Sequence, residues 1–259
     1  MLSDRDRKLL YLHRHGSSVP IPARLCRLGM EDYDEIMALN SKVYREVGDE
    51  DIYASENSIE RNLSGEGFAL GVKAGGLLVA LCVFSWVLED MFKVVEGTYL
   101  DSWSLEQFAM RDIVVVDSDF RGNGLHRMLI SASGSFIPSS RRYVISTVSP
   151  RNWASLKNVL AEGYYVVSCK KLYGGHTRFV TWRDLDDPMV ISRPLHLRIP
   201  AEEVEHHRRV LAMGAVGYEL DRAGPDVILR YGKGIRRSMM VSSFLGDSSL
   251  LGDEDSQVS

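Results

Sequence analysis

One stretch of the chain carries residue types that can hold an anion. The β-branched run Ile113-Val114-Val115-Val116 is followed by the short loop Asp117-Ser118-Asp119-Phe120 and then by Arg121-Gly122-Asn123-Gly124-Leu125-His126. The apolar run reads as a buried strand, and from Leu125 the apolar positions Leu125, Met128, Leu129 and Ala132 recur at helical spacing. Glycine lets backbone N–H groups approach a ligand closely, and a helix start adds unpaired N–H donors and a positive dipole end. A phosphate is the natural occupant. With no Gly-Lys-Ser/Thr in the loop, the nucleotide triphosphate cradle is excluded. The dinucleotide fingerprint fits poorly, because its third small residue would fall at Arg127. No acidic residue stands where that fingerprint needs one; Arg141 and Arg142 lie there instead.

A second segment follows the run Tyr143-Val144-Ile145-Ser146-Thr147-Val148. Asn152 precedes a helical pattern that Gly163-Tyr164 closes. Asn152 can accept from first-turn N–H groups, and Gly163 can take the left-handed conformation that ends a helix. Alone, this is an ordinary strand-helix unit. Together and in this order, the two blocks resemble the acyl-CoA motifs of the GNAT superfamily of N-acyltransferases. In the first motif, Arg/Gln-x-x-Gly-x-Gly/Ala, Arg121 and Gly124 match and His126 replaces the last small residue. In the second, Asn152, Ser155, Gly163 and Tyr164 fall in register.

The resemblance, which covers about 24–185, implies an α/β fold. Its core would be a GNAT-like mixed, splayed central β-sheet flanked by helices, with a small α+β appendage added at the C-terminal side. It implies acetyl-CoA or another acyl-CoA as co-substrate, no metal, and acyl transfer to an amine by direct attack. The diphosphate would lie on Arg121, Gly122, Asn123, Gly124, Leu125 and His126. The backbone of Val114, Val115 and Val116 would hold the pantetheine arm, with Asn152 and Ser155 opposite. The acceptor would be a small-molecule amine or a protein or peptide amine, and a homodimer is compatible with this reading. Many relatives carry a tyrosine acid seven residues after the motif Asn, where this chain has Val159. Many also carry a glutamate base at the position of Met110; Asp112, two residues on and by simple alternation on the same strand face, is the best replacement base. The bland alternative for Asp112 is an exposed strand-end carboxylate, or an ion pair with Arg111 or Arg142. Val159 and Met110 together keep open a different class, an acyl-CoA-binding regulatory or partner-binding protein without turnover.

The elements that must position these residues can be read along the chain. With 259 residues, 45% hydrophobic and 25% charged, it can bury a full core and hold one domain plus an appendage. The net charge of −4, without a long basic stripe, argues against nucleic acid as a partner. No apolar run approaches the roughly 18 residues that span a bilayer, and no signal-peptide core follows the charged start, so a cytoplasmic protein without membrane contact is expected. Cys26, Cys82 and Cys169 are far apart in apolar stretches and read as buried free thiols. Adjacent on a helix, His206 and His207 point about 100° apart and cannot share one metal.

The arm 1–20 is expected to be weakly ordered or to dock on the rest. The main domain 21–185 opens with a strand over 24–28 and a helix whose apolar face is Ile36, Leu39 and Val43, then a second helix over 55–63 and paired strands over 68–73 and 77–86. The insertion 87–107, with Glu89, Asp90, Glu96, Tyr99 and Trp103, either contacts the acceptor or caps the sheet with its aromatics. Two further strands meet at Tyr173-Gly174-Gly175. The appendage 186–233 reads as β-α-β-β, and the tail 234–259 as disordered.

Overall fold

The computed structural model describes residues 9–50, 52, 59–223 and 226–240. The first half holds β1 (Leu10–His13), β2 (Pro20–Leu28), α1 (Tyr33–Val47), a short α2 (Ile59–Arg61), β3 (Gly67–Ala74), β4 (Leu77–Ser85), α3 (Leu88–Val95) and β5 (Phe108–Val116). Next come α4 (Leu125–Ser133), β6 (Tyr143–Val148), α5 (Trp153–Ala161), β7 (Tyr165–Leu172) and β8 (His176–Asp184). The last group is β9 (Met189–Pro200), α6 (Val204–Ala212), β10 (Val216–Ala223) and β11 (Asp226–Arg236).

These strands form one mixed sheet in the order β1-β2-β3-β4-β5-β6-β8-β7-β10-β11-β9. Hairpins make most neighbours antiparallel, whereas β5 and β6 are joined through α4 and run parallel, as a crossover connection requires. Helices cover both faces. On one, α1 buries Ile36, Leu39 and Val43 against Leu81, Val83, Ile113 and Val115. On the other, α4 and α5 bury Leu125, Leu129, Leu156 and Val159 against Leu70, Val79 and Phe84. Sandwiched in this way, β4 is buried almost from end to end and is apolar without alternation.

Two irregularities of β5 shape the centre. Its pairing with β6 runs only from Phe108↔Tyr143 to Arg111↔Ser146, while β5 continues beside β4 to Val116. Beyond Arg111 the two parallel strands part, so the splayed sheet expected from the motifs is present. The register with β4 also jumps, from Phe84↔Arg111 to Val83↔Ile113, which makes Asp112 the extra residue of a bulge. Alternation therefore breaks at the bulge, and period two alone does not fix the face of Asp112.

Several boundaries differ from expectation. Of the two readings of the arm, docking holds for residues 10–13, which form a strand: Leu12 packs into the main core at 4% exposure and its neighbours pair with β2. β2 itself begins at Pro20, at the sheet side that β1 covers. Of the helix expected over 55–63, α2 and a wide turn over Asn62–Glu66 are seen, and residues 53–58 lie outside the described residues. The insertion forms α3 and sends Trp103 against Tyr143 and Trp182, with ring centroids 4.5 and 5.7 Å apart. β9 is much longer than the five residues read from its alternation. The tail boundary moves, since Gly234, Ile235 and Arg236 still pair with Ile191, Val190 and Met189; residues 241–259 lie outside the described residues. The appendage is continuous with the rest, as Gly217 pairs with Val166 and Val210, Leu211 and Tyr231 join the main core.

His207 of α6 is fully enclosed. Its Nε2 lies 2.9 Å from the Pro200 carbonyl and its Nδ1 2.5 Å from the Tyr231 hydroxyl, while Phe179 stands edge-on to the ring at 4.9 Å. The carbonyl can only accept, so Nε2 donates and Nδ1 accepts from the tyrosine. Burial pushes the imidazole below its ordinary value, which favours the neutral ring in the fold. The unfolded chain binds the extra proton below about pH 6.5, so this stabilisation is complete above that pH and declines as pH falls through it. The melting temperature should therefore drop between pH 7.5 and 5, and His207→Gln, less stable at pH 7.5, should lose less over the same interval. Equal losses in the two proteins would exclude His207 as a source of the acid sensitivity.

Candidate functional site

The parting of β5 and β6 opens a cavity of about 690 Å³, within the range of ~300–1,000 Å³ usual for small-molecule sites. Val114, Val115 and Val116 line one wall, Asn152 and Ser155 another, and Arg121, Gly122, Gly124, Leu125 and His126 the mouth. Residues read separately from two motifs thus meet in one space. Because β5 has lost its parallel neighbour beyond Arg111, the strand edge beside the cavity offers backbone donors and acceptors to a ligand.

The mouth has the backbone geometry that an anion would need. Gly122 and Gly124 have φ of +83° and +72°, a region that other residues enter at a cost, and a Cβ at either would meet nothing within 4 Å. The loop is therefore open space against bare backbone. Gly124 is the residue from which α4 starts, so the first-turn N–H groups of that helix face this opening without intrahelical acceptors. Arg121 and Arg127 add positive charge at the rim, although Arg121 lies 3.7 Å from Glu46 and Arg127 2.9 Å from Glu162. On the far wall Asn152 caps α5, its Oδ1 accepting from the N–H of Ser155 at 3.1 Å.

Asn123 departs from its expected role. It does not line the cavity; its Oδ1 accepts from the N–H of His13 at 2.9 Å, and its Nδ2 donates to the carbonyls of His13 and Phe120 at 2.8 and 2.9 Å. The following turn adds His15 N–H to the Asp119 carbonyl at 2.7 Å and Arg14 to the Asp119 carboxylate at 2.6 Å. The β1 segment is thereby tied to the anion loop. Asn123→Ala removes three hydrogen bonds worth roughly 0.5–1.5 kcal/mol each, so it should lower the melting temperature by several degrees. It should also weaken anion binding about threefold to tenfold through a looser loop. A calorimetric affinity equal to that of the wild type would show that the β1 tie does not set loop geometry.

His126 is partly buried. Its Nε2 lies 3.5 Å from Ser155 Oγ and its Nδ1 is buried, and burial, with the charge of Arg111 second, pushes it down to about 3. It is neutral at neutral pH and adds no charge to the mouth. Like His207 it stabilises the fold above about pH 6.5, losing that contribution as pH falls toward 3.

Below the mouth, where the strands are still close, lies a smaller polar cleft of about 70 Å³. Asp112 reaches it from the bulge, together with Arg111, Ser146, Thr147 and Arg178, and it shares Val114, Asn152 and Ser155 with the larger cavity. Arg142, one proposed partner of Asp112, is instead bidentate to the fully buried Asp184 at 2.8 and 2.7 Å. Arg111 donates to Ser146 Oγ at 2.5 Å. Tyr173, at φ +51° the one non-glycine residue with positive φ among the described residues, lies with its hydroxyl 3.0 Å from Thr147 Oγ1. Val159 and Met110 are 1% and 2% exposed and pack into the cores.

Sequence reasoning missed Arg111, Ser146, Thr147, Arg178 and Asn158 as cavity residues. A signal existed in the polar pairs Arg111-Asp112 and Ser146-Thr147, each set inside an otherwise apolar strand. A further hollow of about 440 Å³ lies between α3 and the β7–β8 hairpin, with Asp90, Glu96, Met110, Lys170 and Tyr173 on its walls. Lys170 is engaged there, its Nζ donating to the carbonyls of Lys93 and Glu96 at 2.8 Å each. Among the described residues no helix is long and apolar enough to cross a membrane, and no group of His, Cys, Asp or Glu is placed to hold a metal.

No family model matches the chain, and no curated protein matches it. Solved structures with similar architecture do. An acetyltransferase of the GNAT family from Streptococcus pneumoniae aligns with a TM-score of 0.47 at 12% identity, over 62% of this chain and 99% of that one. The GNAT domain of S. lividans PAT gives 0.48 at 16%, over 71% and 100%. A candidate acetyltransferase from Salmonella typhimurium, solved with its cofactor acetyl-CoA, gives 0.46 at 14%, over 63% and 94%. At such identities the likeness is one of architecture.

Proposed function

We propose that this chain is an N-acyltransferase of the GNAT superfamily, taking an acetyl or related acyl group from acyl-CoA to an amine by direct attack. The observation that carries the reading is the continuity of the site. The larger cavity joins the open glycine loop and the start of α4, suited to a diphosphate, to the unpaired edge of β5, suited to an amide-rich arm, and the small cleft that Asp112 lines adjoins it through Val114, Asn152 and Ser155. In this reading Gly122, Gly124, Leu125 and His126 hold the diphosphate by backbone N–H groups. Val114, Val115 and Val116 hold the pantetheine arm, with Asn152 and Ser155 across from them. Asp112 takes the proton that the attacking amine must lose.

The hollow beside α3 is the proposed acceptor entrance. It reaches Met110, two residues along β5 from Asp112, and carries Asp90 and Glu96 together with Lys93, Lys170 and Lys171 on its walls. Calorimetry with acetyl-CoA, followed by thiol release with a panel of amines, peptides and aminoglycosides, tests the proposal. Absence of acetyl-CoA binding would end it. A second reading, an acyl-CoA-binding regulator without turnover, draws on the apolar burial of Val159 and Met110. It would be favoured by tight acetyl-CoA binding with no thiol release across the whole panel.

A further inference from the structure

The small cleft is floored by a charge whose donors are not all used. Arg111 is 3% exposed, and no carboxylate among the described residues lies within ion-pair distance of it. Its Nη2 donates to Ser146 Oγ, which stands 2.7 Å from Thr181 Oγ1, so a buried chain of hydroxyls fixes the guanidinium. Its carbon lies 4.6 Å from the ring centre of Tyr164, which braces it from the other side. Nη1 is buried and has no hydrogen-bond partner among the described residues. A buried cation with an idle donor is costly in a fold and calls for an explanation.

Its location supplies one. Arg111 is the last residue of β5 paired to β6, so its charge sits where the strands begin to part, and it lines the cleft with Asp112. It extends toward the face covered by α4 and α5, as its contact with Tyr164 requires. That same face holds Val159, an apolar side chain with no proton to give. Arg178, the other cation of the cleft, is occupied by the carbonyls of Thr177 and Glu50 at 2.9 and 3.5 Å. Arg111 therefore offers the cleft a fixed positive charge, held in place before any ligand arrives.

We propose that Arg111 is a catalytic residue that receives the leaving thiolate of coenzyme A, with Nη1 donating a hydrogen bond to the sulfur. The proposal rests on the acyl-CoA reading above. As the neutral amine attacks the thioester carbon, the C–N bond forms; the C–S bond then breaks and its electron pair stays on sulfur. The amine's proton passes to Asp112 and on to water. The guanidinium keeps its own protons, being too weak an acid to release them, and the thiolate takes a proton from solvent on release. One proton leaves the nitrogen and one reaches sulfur, so acyl-CoA and amine give amide and free thiol. A planar guanidinium can serve Ser146 and sulfur at once, which an ammonium at this position would do less well.

The test is the ionisation of the thiol of bound coenzyme A, followed by thiolate absorbance in the full-length protein. A free thiol ionises near pH 8.5. In the wild-type complex the midpoint should fall by at least about one pH unit, roughly a tenfold rise in thiolate at fixed pH. Arg111→Met should return the midpoint to that of free coenzyme A and lower kcat about 10²-fold, with acetyl-CoA affinity changed less than about threefold. Arg111→Lys should give an intermediate midpoint, and it carries the comparison should the methionine variant fail to melt cooperatively. A wild-type midpoint equal to that of free coenzyme A, or a lowered midpoint that both variants keep, overturns the role of Arg111 alone. If the wild type binds neither coenzyme A nor acetyl-CoA, the acyl-CoA reading itself falls and takes this role with it.

Discussion

Gly124→Trp is expected to weaken acetyl-CoA binding by about 10²-fold or more, close to 3 kcal/mol of binding free energy. Two effects contribute and can be separated. The residue has φ +72° and starts α4, so any side chain with a Cβ adds backbone strain of roughly 1–2 kcal/mol to the folded state. A built Cβ meets nothing within 4 Å, so an indole would extend into the open loop, over the N–H groups that the diphosphate needs. Gly124→Ala carries the same strain without the bulk. It should share most of the loss in melting temperature and little of the loss in affinity. If calorimetry finds the tryptophan variant binding like the wild type, the loop is not the diphosphate site, and the reading of the larger cavity goes with it.

What the sequence made legible follows from the range of the interactions involved. The strand, glycine loop and helix over 113–133 and the Asn152 cap depend on neighbours along the chain, and spacing alone is enough to find them. The parting of β5 from β6 is a relation between two strands, decided by where Arg111↔Ser146 becomes the last pair. Nothing local in either strand marks that point, apart from polar side chains set among apolar ones. The bulge is similar: period two places Asp112 with Met110, and the register jump against β4 takes away the basis for that inference. Asp112 reaches the cleft all the same, at a position that alternation alone could not justify. Asn123 was legible as a loop residue but not as the anchor of β1. Its partner is His13, 110 residues away, in a four-residue segment too short to be recognised as a strand. Of the two roles open to the aromatic insertion, the capping of the sheet is seen in the packing of Trp103, while Asp90 and Glu96 line a hollow.

Asp112→Asn addresses the chemistry most directly, and kcat should fall roughly 10²-fold or more with acetyl-CoA affinity nearly unchanged. The amide matches the carboxylate in shape, so the bulge and the walls of the 70 Å³ cleft should persist. What it cannot do is accept a proton from the attacking amine. Arg142, one expected partner of Asp112, is committed to Asp184 instead. A structural role would instead appear as a lowered melting temperature with proportionate losses in binding and turnover. A base role predicts a split, with kcat reduced and affinity kept, and the reduction should persist at every pH where the wild type is active. Thiol release by the asparagine variant at the wild-type rate across pH would remove Asp112 from the mechanism. That outcome would shift the search for a base to water held by Ser146 and Thr147, which line the same cleft. A wild type that itself releases no thiol with any acceptor would favour the regulator reading, in which Asp112→Asn leaves every measured property in place.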